Sequence, residues 1–265
     1  MLMLLNFLLK DFLKFLYFKK IIPKILLNNY LINIFENSLI FSKLKRKVIY
    51  NKINFYYYLD PMPDEDELHF YYKFNYPLSR NVNIQIGTRE IDHYKINTEI
   101  IKKNCSMLNF GSGNSGTSIL FDINGYQVTN VDLFKPDYLP KNIKHIDSIF
   151  SEELKEESFD FIISSHSLEH VTDVKSIMSR LKFLLKKNGY IFIEVPNAKN
   201  KYEMINKGVI GAPHCYYFEK EYFTTLGYKI VMLNSYFSKQ SYYSNLKIGE
   251  EHEGDVLRFI GQKIN

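Results

Sequence analysis

One stretch limits what this chain can fold into more than any other. CSMLNF at 105–110 reads as a buried strand, GSGNSG at 111–116 as a glycine turn, and TSILFDIN at 117–124 as a helix. Gly125 then precedes YQVTNVDLF at 126–134, a second strand. Strand, glycine turn, helix and strand in that order make a βαβ unit, and hence a parallel sheet covered by helices. Gly111 permits the tight turn, Gly113 lets the backbone approach a ligand, and Gly116 lets helix and strand pack closely. The helix start offers unpaired N–H groups to polar or anionic ligand atoms. Asp132 ends the second strand, where its carboxylate can accept hydrogen bonds from the vicinal hydroxyls of a ribose. The glycine spacing, with Asp132 21 residues after Gly111, also satisfies the nicotinamide dinucleotide fingerprint. On its own, then, this segment specifies an adenosine-containing cofactor on a Rossmann-like sheet. The plain alternative is a glycine-rich turn with no ligand.

The pattern continues in order. KHIDSIF at 144–150 reads as a third strand ending at Asp147. ESFDFIISSHSLEHV at 157–171 contains a fourth strand, FDFIIS, and a polar turn, SHSLEH. Residues 171–187 carry Val171, Val174, Ile177, Met178, Leu181, Leu184 and Leu185 at helical spacing, and Asn188-Gly189 stops that helix. YIFIEVPN at 190–197 is a fifth strand, and GYKIVMLNSYF and VLRFIGQKI read as two more, joined by a loop over 238–254.

With these pieces in place, the chain resembles the class I S-adenosylmethionine-dependent methyltransferases. Within them it is most similar to the small-molecule branch that includes the ubiquinone-type O-methyltransferases. LNFGSGNSG, NVDLF, FDFIISSHSLEHV and LKKNGYIFIEVPN match in order, and PHCYYFEKEYFTTLGYKIVML at 213–233 resembles the stretch before that branch's sixth strand. The resemblance covers about residues 100–265. It implies an α/β fold: a Rossmann-like, seven-stranded, mostly parallel sheet with helices on both faces and an antiparallel C-terminal strand.

The resemblance also assigns roles. Gly111, Gly113 and Asn114 would curl under the methionine and ribose parts of S-adenosyl-L-methionine, with Asn109 standing where the family usually carries an acid. Asn can still accept a hydrogen bond, without the charge. Asp132 would hold the ribose hydroxyls, Leu133 would flank the adenine, and Asp147 with Ser148 would meet the adenine amino group. Ser165 opens the turn bordering the methyl donor. Methyl transfer from a sulfonium is an in-line displacement that needs alignment and a dry site. A general base enters only for a protonated acceptor. His166, His170 and His214 are the candidates, against the ordinary reading in which the Glu-His of the turn fixes the loop and helix start. The rival readings are a nicotinamide oxidoreductase, disfavoured by the LEH turn, and a non-catalytic relative that only binds the cofactor.

Composition matters most outside this domain. Residues 1–60 hold ten Lys/Arg against three Asp/Glu, and the rest of the chain holds 24 against 26. The net +5 thus belongs to the first 60 residues, which disfavours a strongly basic nucleic-acid-binding core. No nucleic-acid partner is expected. The opening MLMLLNFLLKDFLKFLYFKK lacks the roughly 18 uninterrupted apolar residues of a membrane span. As a helix it places Asn6, Lys10, Asp11 and Lys14 within roughly 140° of one side. It reads either as a helix packed on protein or as an interfacial one, giving peripheral membrane contact through residues 1–47. Residues 25–42 read as a second apolar helix, KLKRK at 43–47 as a solvated charge run, and 54–78 as aromatic strands or extended segments. The division expected is an N-terminal extension over 1–95, helical and then aromatic-rich, and a methyltransferase domain over 96–265. Cys105 and Cys215 cannot form a disulfide framework or a CxxC metal pair. The setting expected is the cytoplasm, at the inner face of a membrane if the first segment docks there. No metal is expected, and the acceptor is a small molecule, glycan or lipid-linked compound.

Overall fold

A computed structural model describes residues 46–74, 86–201, 214–236 and 254–264. The two apolar N-terminal helices read from the sequence lie outside these residues, as does most of the 238–254 loop.

The main sheet has seven strands. They are β3 (Ser106–Phe110), β4 (Gln127–Val131), β5 (Lys144–Ile146), β6 (Phe159–Ser165), β7 (Leu185–Pro196), β9 (Lys229–Tyr236) and β10 (Val256–Gln262). Their order is β5-β4-β3-β6-β7-β10-β9. Pairing is parallel from β5 to β7, and β10 runs antiparallel to both β7 and β9. This is the arrangement the resemblance implies. Parallel strands covered by helices on both faces bury apolar side chains on each face, and the central β3, β6 and β7 do so. Leu108, Ile162, Ile191 and Ile193 pack on one face. Met107, Phe161, Ile163 and Phe192 pack on the other.

The first face is closed by α4 (Val174–Leu184), whose Val174, Ile177, Met178, Leu181 and Leu184 form the buried stripe. This helix starts three residues later than 171, because the Asp173 carboxylate caps it by accepting the N–H groups of Lys175 and Ser176. It ends at Leu184 because Leu185 turns extended and pairs with Phe159 of β6. The second face is closed by α2 (Thr88–Thr98) and α3 (Gly116–Ile123), through Ile96, Ile119 and Phe121. The 95/96 division therefore passes through a helix that packs on the main sheet.

The segment before α2 departs from expectation in two places. Lys47–Asn51 forms β1, which pairs antiparallel with β2 (Tyr56–Asp60), and β2 pairs with β8 (Tyr216–Phe218) from the far end of the chain. Arg46, expected in a solvated charge run, is instead buried against Glu67 and donates to the Pro61 carbonyl. Residues 65–74 are α1 (Glu65–Phe74) and not extended chain. The reason is a capping box: Asp64 Oδ1 accepts the Glu67 N–H and Glu67 Oε2 accepts the Asp64 N–H, so the acidic run starts a helix. The small three-stranded sheet meets the main one at a parallel bridge between Asn197 and Phe218. Its Tyr216 hydroxyl donates to the Thr172 carbonyl.

Candidate active site

The strand order reverses between β3 and β6, which places the ligand crevice of such a sheet outside their carboxyl ends. The glycine turn lies there. Gly111 and Gly113 both take positive φ, +69° and +50°. They do different things. A Cβ on Gly111 would lie 2.0 Å from Ser167 Oγ, so this glycine lets the turn after β6 close onto the turn after β3. The Ser167 hydroxyl donates to the Gly111 carbonyl at 3.2 Å. A Cβ on Gly113 would meet no atom within 4 Å. Its N–H points at Asp132 Oδ2, 2.8 Å away.

Asp132 is thereby held from both sides, since its Oδ1 accepts the Phe134 N–H at 3.1 Å. Each carboxylate oxygen offers about two acceptor positions, so both keep one for a ligand hydroxyl. Leu133 is 54% exposed beside it. Asp147 and Ser148 are exposed just past β5, next to Asp132, whose N–H bonds the Ile146 carbonyl. The Ser148 hydroxyl accepts the Phe150 N–H. Asn114 is turned back on its own loop, its Oδ1 accepting the Gly116 N–H at 3.2 Å. Asn109 is buried beneath the turn, where its amide donates to Ser118 Oγ at 2.8 Å. Ser118 donates to Asn130, and Asn130 donates to Ser115 Oγ. This buried chain fastens the glycine turn to β4. Within β4 (QVTNV), Asn130 is fully buried between Thr129 and Val131.

The open face at Gly113, the spare acceptor positions of Asp132 and the exposed Leu133 fit an adenosine cofactor with ribose hydroxyls and an apolar base. Two further buried hydroxyls, Ser112 Oγ and Ser164 Oγ, have no hydrogen-bond partner within the described protein and lie at the same crevice.

On the other side of the crevice stands a buried charge cluster. Glu194 of β7 and Arg258 of β10 are fully buried, and Arg258 Nη2 donates to Glu194 Oε2 at 3.0 Å. His93 of α2 meets the same oxygen through Nε2 at 3.1 Å. Burial opposes the charge on Glu194, but His93, Arg258 and His166 overcome it and hold the carboxyl well below its ordinary range. Burial pushes the His93 imidazole down. Ser165 Oγ donates to Glu194 Oε1 at 3.2 Å.

All three histidines singled out from the sequence come together here. His166 takes φ +49° and donates its N–H to the Glu194 carbonyl. Its ring lies between two buried carboxylates, with Nδ1 3.3 Å from Glu169 Oε1 and Nε2 3.5 Å from Glu194 Oε1. Burial would depress this imidazole, but the two carboxylates raise it to about 10. Both ring nitrogens thus face acceptors, and neither is left to take up a proton. Glu169 is fully buried. Burial works against its charge, and His170, His166 and His214 hold it at about 2. The His170 and His214 rings lie 4.9 Å apart, and His170 Nε2 is 3.7 Å from Glu169 Oε1. The hydrogen bond from Cys215 N–H to the Glu169 carbonyl, 2.7 Å, brings this distant segment to the turn. Sequence reasoning missed Glu194, Arg258 and His93, and gave Glu169 only the role of fixing the turn. A lone Glu and a lone Arg, each inside an apolar strand, were the available signal for the buried pair.

The profile of a methyltransferase domain matches residues 88–242. No curated protein sequence matches the chain. Among solved structures, the fold is similar to the Burkholderia thailandensis 1,6-didemethyltoxoflavin-N1-methyltransferase, with a TM-score of 0.55 at 14% identity over 83% of this chain and 100% of that one. That enzyme was solved with 1,6-didemethyltoxoflavin and S-adenosylhomocysteine bound. A putative S-adenosylmethionine-dependent methyltransferase from Listeria monocytogenes gives a TM-score of 0.50 at 10% identity, over 67% of this chain and 99% of that one.

Proposed function

The chain belongs to the methyltransferase-domain family, and from that premise we propose that it moves the methyl group of S-adenosyl-L-methionine to a small-molecule, glycan or lipid-linked acceptor. The observation that carries this reading is the pairing of Gly113 with Asp132: a backbone position open to a ligand, hydrogen-bonded to a carboxylate with acceptor positions to spare. When bound, the cofactor supplies a methyl group activated by a sulfonium. Asp132 would hold the ribose hydroxyls, Leu133 would cover one face of the adenine, and Asp147 and Ser148 would border its edge. Ser165 and the turn after it would line the donor side. His166, with both nitrogens committed to carboxylates, fixes that turn and does not serve as a base. Loosening the proton of a hydroxyl acceptor falls to the group formed by Glu169, His170 and His214.

Within the family we place the chain in the small-molecule branch, on the strength of the LEH turn and the 213–233 stretch. We further propose that the basic, apolar residues 1–47 bring the enzyme to a membrane surface, which suits a lipid-linked acceptor. No helix among the described residues is long and apolar enough to cross a membrane. Two free cysteines suit a reducing compartment such as the cytoplasm. The test of the function is a thermal shift. S-adenosylhomocysteine raises the melting temperature by mass action on the native state, and NAD does not. A shift with NAD and none with S-adenosylhomocysteine would overturn the reading.

A further inference from the structure

The Glu169–His170–His214 group has the makeup of a metal site. One ligand atom from each residue lies within 4.8 Å of the other two. In a tetrahedral zinc site with bonds of about 2.1 Å, ligand atoms are about 3.4 Å apart, so a small contraction would seat an ion. His170 Nε2 and Glu169 Oε1 are already at 3.7 Å.

The second observation is Glu169 itself. Its side chain is fully buried, and neither carboxylate oxygen receives a hydrogen bond of good geometry. The nearest nitrogen, His166 Nδ1, stands at 3.3 Å from Oε1. The His166 imidazolium offsets the charge of this carboxylate, but both oxygens keep lone pairs with no hydrogen bond, and these are free to ligate an ion. Around it the fold holds the would-be ligands in place. The Glu169 carbonyl takes the Cys215 N–H, the Cys215 thiol faces the His170 carbonyl at 3.8 Å, and the His214 ring packs against Tyr217 at 5.2 Å. Three protein ligands on a centre leave a position open, as in catalytic and not structural zinc sites.

We propose that Glu169, His170 and His214 bind a divalent transition-metal ion of the zinc type at the acceptor side of the crevice. Two imidazole nitrogens select such an ion over magnesium or calcium, which prefer oxygen ligands. The open position takes water, or an acceptor hydroxyl once substrate is present. The ion's charge loosens the hydroxyl proton, which passes to solvent. This would reverse the sequence expectation of no metal. It rests on the methyltransferase reading for its use but not for its existence.

The test uses the full-length chain without an affinity tag, stripped with a chelator and titrated with Co2+ while its visible d–d absorption is recorded. The expected result is saturation near one ion per chain, with the band abolished by Zn2+ in competition. His170→Ala and His214→Ala each weaken Co2+ binding by more than the roughly 10- to 100-fold that loss of an outer hydrogen-bond partner costs. His214→Ala lies outside the cofactor turn, so its retained S-adenosylhomocysteine binding shows that the fold survives. Absence of the Co2+ band in a chain that binds S-adenosylhomocysteine overturns the metal site and leaves the methyltransferase reading intact. Unchanged Co2+ affinity in both histidine variants overturns it as well.

Discussion

Two alanine substitutions two residues apart separate a glycine that the fold needs from one that the ligand needs. At Gly111, φ is +69° and an added Cβ lies 2.0 Å from Ser167 Oγ and 2.4 Å from Ser167 Cβ. The left-handed backbone costs an alanine about 1–2 kcal/mol. Pushing back the buried turn after β6 costs about 1–3 kcal/mol more, the usual range for overpacking. Gly111→Ala should therefore destabilise the protein by about 2–5 kcal/mol. At Gly113, φ is +50° and an added Cβ meets nothing within 4 Å. There only the backbone term applies, about 1–2 kcal/mol. For a chain of this size each kcal/mol is roughly 2–4 °C of melting temperature. Urea unfolding and calorimetric titration with S-adenosylhomocysteine on both variants check the pair. Gly113→Ala should melt only roughly 2–8 °C below the wild type, yet bind the ligand at least about tenfold more weakly, a loss of about 1.4 kcal/mol. Equal destabilisation by the two variants would refute the packing argument. Wild-type affinity in Gly113→Ala would refute the placing of the ligand over that residue.

Three further outcomes follow from the buried charges and the N-terminal segment. Arg258→Met leaves Glu194 ionised without its guanidinium and should cost about 3–5 kcal/mol in urea unfolding; a Glu194→Gln change in the same chain should recover part of it, and a single-variant cost near zero would show that the pair is not coupled. Asp92 is a buried carboxyl raised to about 6, first by burial, against the pull of Arg258 and Lys95. Because its folded value lies above its ordinary one, the folded state binds the proton more tightly, and its contribution to stability falls as pH rises from about 4 to about 6. Asp92→Asn should flatten that decline in unfolding free energies measured between pH 4 and pH 7, and an identical slope in both proteins would contradict it. Deletion of residues 1–24 should leave S-adenosylhomocysteine binding unchanged and reduce flotation with anionic liposomes; unchanged flotation would remove the membrane proposal.

The parts of the fold that were legible in the sequence are those dictated by local chemistry. β3, the glycine turn, α3 and β4 follow from glycine spacing and apolar runs, and Asp132 falls where the strand must end. The strand order and the antiparallel β10 followed from the ordered set of motifs and from no single one. What escaped was of two kinds. Some signals were present but read by composition: Asp64 and Glu67 form a capping box that starts α1, although the run looked merely acidic. Others depend on residues far apart in the chain. Nothing near residue 46 indicates that Arg46 will be buried against Glu67, and nothing near His214 indicates that a hydrogen bond from Cys215 will set it beside Glu169. His166 illustrates the limit most sharply. Its residue type suggested a base, and nothing near it in the chain showed that two buried carboxylates would face its opposite ring nitrogens.

The central claim is that Asp132 and the glycine turn hold the ribose of S-adenosyl-L-methionine, and calorimetric titration of S-adenosylhomocysteine into the wild type and Asp132→Ala tests it most directly. Loss of hydrogen bonds to a charged group costs about 1.5–3 kcal/mol, so the variant should bind roughly ten- to a hundredfold more weakly with one site per chain retained. Equal affinity in the two proteins, or no binding by the wild type, would contradict it.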